Sequence, residues 1–252
     1  MISVVVATCQ DEVRFAQALA ALVAAATEGV VREVLVVDRG GHPGAAAVAD
    51  AAGCRIVAVT GELADGLRVA ADQARADWLL FLSPEAVLEP AWQGEAMAFI
   101  DRAIVAGVGR SRAAVFRLGR MEPGGRARLG EWLAVLRTRL LAAPHAEQGL
   151  LVSRSLYRAV GGHRHLAALA EVDLARRIGR HRLVSLRARA VVGEPALASR
   201  GVLRAIRNGA CRDAWDGILA KQFAYRQPPC NFVEIMPRLD EHLKRKKLRA
   251  KA

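Results

Sequence analysis

No apolar run in the chain approaches the roughly 20 residues needed to cross a bilayer. The richest, Ala18 to Ala26, is short and alanine-heavy and suits a packed helix. The four cysteines, Cys9, Cys54, Cys211 and Cys230, are scattered without metal-ligand spacing. They read as reduced thiols of a cytosolic protein, not as a zinc site or a disulfide framework. A GxGxxG dinucleotide loop is missing, as is a Walker lysine motif. Aromatic residues make up only 5% of the chain and are not interleaved with the basic ones, which argues against a stacking platform for single-stranded nucleic acid. Internal repeats are absent. Met1 leads directly into ISVVVAT, so no signal peptide is expected.

What the chain does have is apolar residues and positive charge. At 53% hydrophobic over 252 residues it can bury a large core and is not a disordered protein. The formal charge is +12, and residues 237–252 concentrate seven Lys/Arg against Asp240 and Glu241. That balance favours polyanions such as nucleotide phosphates or an acidic membrane surface. The alternative for the tail is a frayed, solvated terminus.

One stretch organises the rest: ADWLLFLSPEAVLEP, Ala76 to Pro90. Five apolar residues, Trp78 to Leu82, run without alternation, as in a parallel strand buried on both faces. Pro84 ends it, because proline cannot donate to a sheet ladder. Glu85 then falls just past the carboxyl end of a central strand, the edge where open α/β sheets bind ligands. A carboxylate there can hold a divalent cation and through it a phosphate, or be an ordinary loop glutamate.

The remainder of the amino-terminal part alternates. Strands are predicted at Ile2–Thr8, Val30–Asp38 and Arg55–Thr60, with helices over Val13–Ala26, Ala45–Ala52 and within Gly61–Arg75. Four strand–helix units in ninety residues argue for a parallel sheet with helices on both faces. Asp11 is placed to cap the first helix. Further on, the pattern gives a helix at Trp92–Arg102, an antiparallel addition containing AAVFRL, a loop over Gly119–Gly130 and a helix at Glu131–Leu141. It then gives a strand at Gly149–Ser153, helices at Ser155–Val160 and Leu169–Arg180, and a strand at Leu183–Val192. Last comes a long amphipathic helix, Val202–Tyr225. That helix reads first as one packed on the domain, and alternatively as a peripheral membrane contact.

Asp38 ends a buried strand before the glycine turn Arg39–Gly44. An acid there commonly bonds a ribose or base edge, and equally often forms a turn. Glu171 and Asp173 open the Leu169–Arg180 helix. Acids in a first turn favour the macrodipole, and one of the two is a candidate general base. His163 and His165, after Gly161-Gly162, read as exposed loop histidines.

Six segments in order carry a resemblance: ISVVVAT, REVLVVD into a glycine turn, WLLFLSPEAVLEPAW, EQGLLVSRSLYRAVGG, EVDLARRIGR and SRGVLRAIRN. Together they resemble the family 2 glycosyltransferases of GT-A fold, closest to a bacterial subgroup of arsenosugar-biosynthesis type, from about Ile2 to Tyr225. The resemblance implies an α/β GT-A domain over residues 1–225 and a basic tail over 226–252. It implies transfer of a sugar from a nucleotide-diphosphate sugar to an acceptor hydroxyl, assisted by Mg²⁺ or Mn²⁺ and inverting at the anomeric carbon.

By the same resemblance Thr8, Glu12 and Asp38 would lie at the nucleotide and Glu85 would hold the metal. Glu147-Gln148-Gly149 would lie beside the acceptor, Glu171 would be the base, and Arg177, paired with Arg176, would face the pyrophosphate. The acceptor is unassigned, with a lipid-linked one the expectation if the membrane contact holds. The expected location is the cytoplasm, with the inner membrane face as the peripheral site, and no nucleic-acid partner is expected. Three positions depart from the family: Glu85, Glu147 and Glu171 stand where it has aspartate. The glycine turn also carries His42 and Gly44 in place of the usual serine and second aspartate. The alternative reading is therefore a nucleotide-binding relative without turnover. A nucleotidyltransferase is disfavoured, because Cys9-Gln10-Asp11-Glu12 is acidic where a basic phosphate loop would be needed.

Overall fold

The structure is a computed structural model and describes residues 1–109, 111–120, 146–166 and 170–192. The expected helices at Glu131–Leu141 and Val202–Tyr225, the loop after Gly119, the basic tail and the boundary at 225 lie outside the described residues. Among the described residues no helix is long and apolar enough to cross a membrane.

Strand β1 (Ile2–Ala7) is buried along its whole length, as is β4 (Trp78–Leu82). Both are near-continuous apolar runs because both are central and covered on two faces. Strand β2 (Val31–Asp38) pairs in parallel with β1, and β3 (Arg55–Ala58) with β2. The helices between them are α1 (Glu12–Thr27), α2 (Pro43–Ala51) and α3 (Leu63–Gln73). Asp11 caps α1 by accepting from the Arg14 N–H at 3.0 Å.

After β4 come a two-residue strand β5 (Val87–Leu88), helix α4 (Trp92–Val105) and strand β6 (Ala113–Arg120). Then follow a 3₁₀ turn at Ala146–Gln148, strand β7 (Leu150–Ser153), α5 (Arg154–Ala159), α6 (Ala170–Ile178) and β8 (Leu183–Val192). The eight strands form one sheet in the order β3-β2-β1-β4-β7-β6-β8-β5.

The sequence places an antiparallel addition at AAVFRL, but the reversal belongs to β7. It runs antiparallel to both β4 and β6, and β6 is parallel to β8. Phe81 pairs with Leu150, so the carboxyl end of β4 meets the amino end of β7.

Alternate residues of the strands feed two cores. Val4, Val6, Leu80 and Leu82 face α1, α2 and α4, through Phe15, Leu19, Ala45, Trp92 and Phe99. Val5, Leu79 and Phe81 face α3, α5 and α6, through Leu67, Ala70, Leu156 and Leu174. The Trp92 indole N–H donates to the Ala21 carbonyl at 3.2 Å and ties α4 to α1. At the other end of the sheet, Ser3 Oγ donates to Glu33 and accepts from the Ala76 N–H, which fixes the strand starts. That leaves the carboxyl ends of β1, β2 and β4 as the edge where loops and charges collect.

Candidate functional site

The edge is built from strand register. Ala7 of β1 pairs with Val37 of β2, and Val6 pairs with Leu82 of β4. Thr8 therefore stands between Asp38 on one side and the Ser83-Pro84-Glu85 segment on the other. With strands about 4.8 Å apart, β2 and β4, which lead to Asp38 and to Glu85, leave the sheet on the same edge about 10 Å from each other. Thr8 Oγ1 donates to Asp38 Oδ1 at 3.2 Å, and the Gly40 N–H donates to the same oxygen at 3.1 Å. The Asp38 carboxylate is thus held in one orientation through Oδ1.

Glu12, in the first turn of α1, lies against the start of α2. A Cβ at Gly44 would collide with the Glu12 carboxylate. Glycine is needed there so that Glu12 can sit at the positive end of the α2 dipole. The acid is directed toward the glycine turn that follows Asp38.

Glu85 is half-buried. Its carboxyl is raised above the ordinary range, first by burial and then by the neighbouring Glu147 carboxylate. Arg14 acts the other way. Glu147 comes from the turn before β7, so the β4–β7 reversal is what brings these two acids together. Gln148 is buried and donates to the Phe116 carbonyl at 3.1 Å. Gly149 has φ +67, and a Cβ there would press on Leu82 and Phe116 at 3.3 Å. That residue must be glycine for the turn to pass this close to β4. Gln148 and Gly149 thus hold the turn in place, and Glu147 carries its charge.

Among the described residues no three His, Cys, Asp or Glu side chains gather to cage a metal. Two mutually repelling carboxylates still suit a Mg²⁺ or Mn²⁺ ion, which commonly takes one or two carboxylates and completes its shell with substrate phosphates. The residues fit a cation shared with a diphosphate.

Next to this edge is a cavity of about 220 Å³. Leu63 and Leu67 of α3 form one wall, and Phe81, Val115 and Leu150 of the sheet form another. Glu171, in the first turn of α6, is the charged group in its lining. Ser83, Pro84 and Gly149 complete the rim. Burial pushes the Glu171 carboxyl up from its ordinary value.

The second acid of α6 has a different fate. Asp173 is buried and paired with Arg177, whose Nε and Nη2 both approach Oδ2 at 2.8 Å. Arg177 also donates to the carbonyls of Val160 and Gly162. Where the resemblance has Arg177 face a pyrophosphate, all three of its guanidinium nitrogens are engaged within the chain. The pairing had a sequence signal: Asp173 and Arg177 stand at i and i+4 on one helix face.

A correction concerns the histidines. His165 is exposed, with Nδ1 2.5 Å from Asp65 Oδ2. His163 is buried, its ring edge-on to Phe81 with centroids 4.6 Å apart. The Tyr157 hydroxyl accepts from the His163 N–H at 3.1 Å and lies 2.9 Å from Nδ1. With the hydroxyl proton on that second contact, Nε2 keeps the ring proton, and it has no partner. Burial pushes the imidazole down to about 3 and the Tyr157 phenol up to about 12. Both are neutral, and together they back Phe81 at the cavity wall.

Among solved structures, S. aureus TarS 1–349 in complex with UDP-GlcNAc is similar over 77% of this chain and 59% of its own, at 16% identity and a TM-score of 0.56. Glucosyl-3-phosphoglycerate synthase from Mycobacterium tuberculosis, in complex with Mn²⁺ and UDP-glucose, is similar over 84% of this chain and 78% of its own. There the identity is 17% and the TM-score 0.53. The fold is GT-A. The chain spans 36% of the longer TarS chain and 59% of the 1–349 chain. No protein-family model and no curated protein matches the sequence. In GT-A terms the Asp38–Glu85 edge is the carboxyl edge of the parallel half-sheet, and Glu147 and Glu171 come from the half that follows the reversal.

Proposed function

We propose that the chain is a glycosyltransferase that moves a sugar from a nucleotide-diphosphate sugar to an acceptor hydroxyl with inversion. The observation that supports this reading is the pair of neighbouring carboxylates Glu85 and Glu147 past the end of β4, beside a cavity lined by Glu171, on the sheet edge where β2 also ends in Asp38. Asp38 is fixed by Thr8, Glu85 and Glu147 repel each other, and Glu171 is set into a cavity wall. Burial of Glu85 and Glu171 and the repulsion of Glu85 by Glu147 disfavour the charged carboxylates, a pattern that points to a function. The GT-A proteins it resembles were crystallised with UDP-GlcNAc or with UDP-glucose and Mn²⁺, and a uridine diphosphate sugar is the donor class proposed here.

Asp38 would bond the base or ribose, with Glu12 near the same nucleotide. Glu85, with Glu147 beside it, would hold Mg²⁺ or Mn²⁺. When bound, that ion offsets the negative charge of the departing diphosphate. The acceptor oxygen attacks the anomeric carbon, and the bond to the diphosphate oxygen breaks with its electron pair leaving on that oxygen. The hydroxyl proton passes to the Glu171 carboxylate. A carboxyl raised by burial is the stronger base when ionised, which suits this role.

Thermal shift on the full chain tests the reading. UDP or a UDP-sugar with Mn²⁺, at a hundred times its dissociation constant, should add about 2.7 kcal/mol of stability. Asp38→Ala should abolish the shift. No shift with any nucleotide diphosphate or nucleotide-sugar overturns the proposal.

A second reading, nucleotide binding without turnover, rests on Glu85, Glu147 and Glu171, where the resembling family has aspartate. Each extra methylene moves a carboxylate outward by over an ångström, and a misplacement of that order can cost about a hundredfold in rate. Combining Glu85→Asp with Glu171→Asp should raise turnover of an active enzyme and leave a silent binder silent.

A further inference from the structure

The cavity beside Glu171 has chemistry of its own. At about 220 Å³ it is smaller than the roughly 300–1,000 Å³ typical of whole-ligand sites. As bounded by the described residues, it suits one part of a substrate and not a whole sugar diphosphate. Among the described residues its walls are mostly hydrocarbon, from Leu63, Leu67, Phe81, Val115 and Leu150, with Ser83, Gly149 and Glu171 the polar exceptions. The backbone of these strands is engaged in the sheet, since Phe81 pairs with Leu150 and Val115 with both Leu150 and Ser185. A hexose carries hydroxyls around its whole rim. Against those apolar walls most of them would lose water and gain no partner. A hydrocarbon body loses nothing there, and its burial is favourable.

The rim supplies the other half of the specificity. Glu171 presents a carboxyl to this lining, so a ligand fits if it is apolar over its body and ends in one hydroxyl. Size narrows it further. An apolar cavity of about 150 Å³ takes benzene, so this one takes a body of roughly nine non-hydrogen atoms. Phe81 is held from behind by Tyr157, at 5.2 Å between ring centroids, and by His163 at 4.6 Å. That wall is an aromatic surface supported against collapse, and it suits a flat ring.

We propose that this cavity receives the body of the acceptor, and that the acceptor is a small aryl or alkyl alcohol whose hydroxyl is held at Glu171, not a sugar. Naming it the acceptor pocket rests on the transferase reading above, whereas its preference for an apolar alcohol does not. In the transfer, the alcohol oxygen becomes the glycosidic oxygen, its proton goes to Glu171, and the diphosphate leaves with the electron pair of the broken bond.

The test uses fluorine NMR on the full chain without nucleotide, so donor binding plays no part. The probes are 4-fluorobenzyl alcohol, 4-fluorotoluene and 4-deoxy-4-fluoroglucose. The alcohol should give saturable broadening and bind severalfold tighter than the toluene, and the fluoroglucose should give none. Leu63→Trp, which fills the cavity, should weaken the alcohol at least tenfold. Leu63→Asn, which keeps the volume and makes the wall polar, should weaken it severalfold and serves if the tryptophan variant does not fold. Glu171→Ala should erase the preference for alcohol over toluene. Fluoroglucose binding as well as the alcohol, no alcohol binding, or alcohol binding unmoved in Leu63→Asn would each overturn the proposal. Alcohol binding in the cavity with no nucleotide-sugar binding anywhere would keep the cavity's preference and remove its acceptor role.

Discussion

Arg177 clamps Asp173 through two nitrogens, Nε and Nη2, each 2.8 Å from the same carboxylate oxygen. Two residues earlier on the same helix, Glu171 turns about 200° away and lines the cavity. Two acids that look interchangeable in the sequence are thus divided, one to hold the fold and one to line a cavity.

The clamp makes Arg177 a matter of stability. Asp173 is 7% exposed, and the Arg177 side chain 15%. Arg177→Met leaves the buried Asp173 carboxylate with only the longer ion pair to Arg164, at 3.9 Å, and frees the Val160 and Gly162 carbonyls. A loss of about 3 kcal/mol is expected in urea unfolding. Donor affinity per folded molecule should be unchanged. A large loss of donor binding with stability intact would instead put the guanidinium on the diphosphate.

Glu171 should give two separable signals. Glu171→Gln keeps the shape and removes the base, so turnover should fall about 10²- to 10⁴-fold while nucleotide binding persists. The second signal lies in stability. The folded-state carboxyl sits above its ordinary value, so the native state binds its proton more tightly than the unfolded chain does. The resulting stabilisation is present below the unfolded value and is lost as pH rises through the folded one. The melting temperature of Glu171→Gln relative to the parent should therefore be higher at pH 8 than at pH 4. A difference independent of pH would mean that Glu171 is fully solvated.

His163 works with the opposite sign. Its imidazole titrates near 3 in the folded chain, against an ordinary 6.5. The native state excludes a proton that the unfolded chain takes up, so stability is full above about 6.5 and falls as pH drops toward 3. His163→Phe keeps a ring against Phe81 and Tyr157 and removes the unpartnered Nε2–H. Between pH 7 and pH 4 the variant should gain about 3 kcal/mol on the parent, from 1.36 kcal/mol per pH unit. Parallel urea-stability curves over that range would place the imidazole in water.

These residues show what a sequence makes legible. Trp78–Leu82 reads as a central strand because burial on both faces leaves its mark in every consecutive residue, and it is observed with those bounds. Asp11 as a cap and Glu85 past a strand end are local facts, fixed by residues within four positions. His163 is not local. It follows Gly-Gly and precedes Arg-His, as a solvated loop would, yet it is buried by Phe81, whose contact no pattern of neighbours records. The β4–β7 reversal escapes for the same reason, since it joins strands separated by some seventy residues. The cavity escapes too, because Leu63, Phe81, Val115 and Leu150 each read simply as core.

The strand reversal has a practical corollary. Everything before the turn at 106–109 carries Asp38 and Glu85, and everything after it carries Glu147 and Glu171. A recombination crossover in that turn would cut none of the sheet's parallel βαβ units. Chimeras joined there would take Asp38 and Glu85 from one parent and Glu147 and Glu171 from the other, while the cavity would draw Leu63, Leu67 and Phe81 from the first and Val115 and Leu150 from the second, so its two walls are what a redesign at this seam has to match.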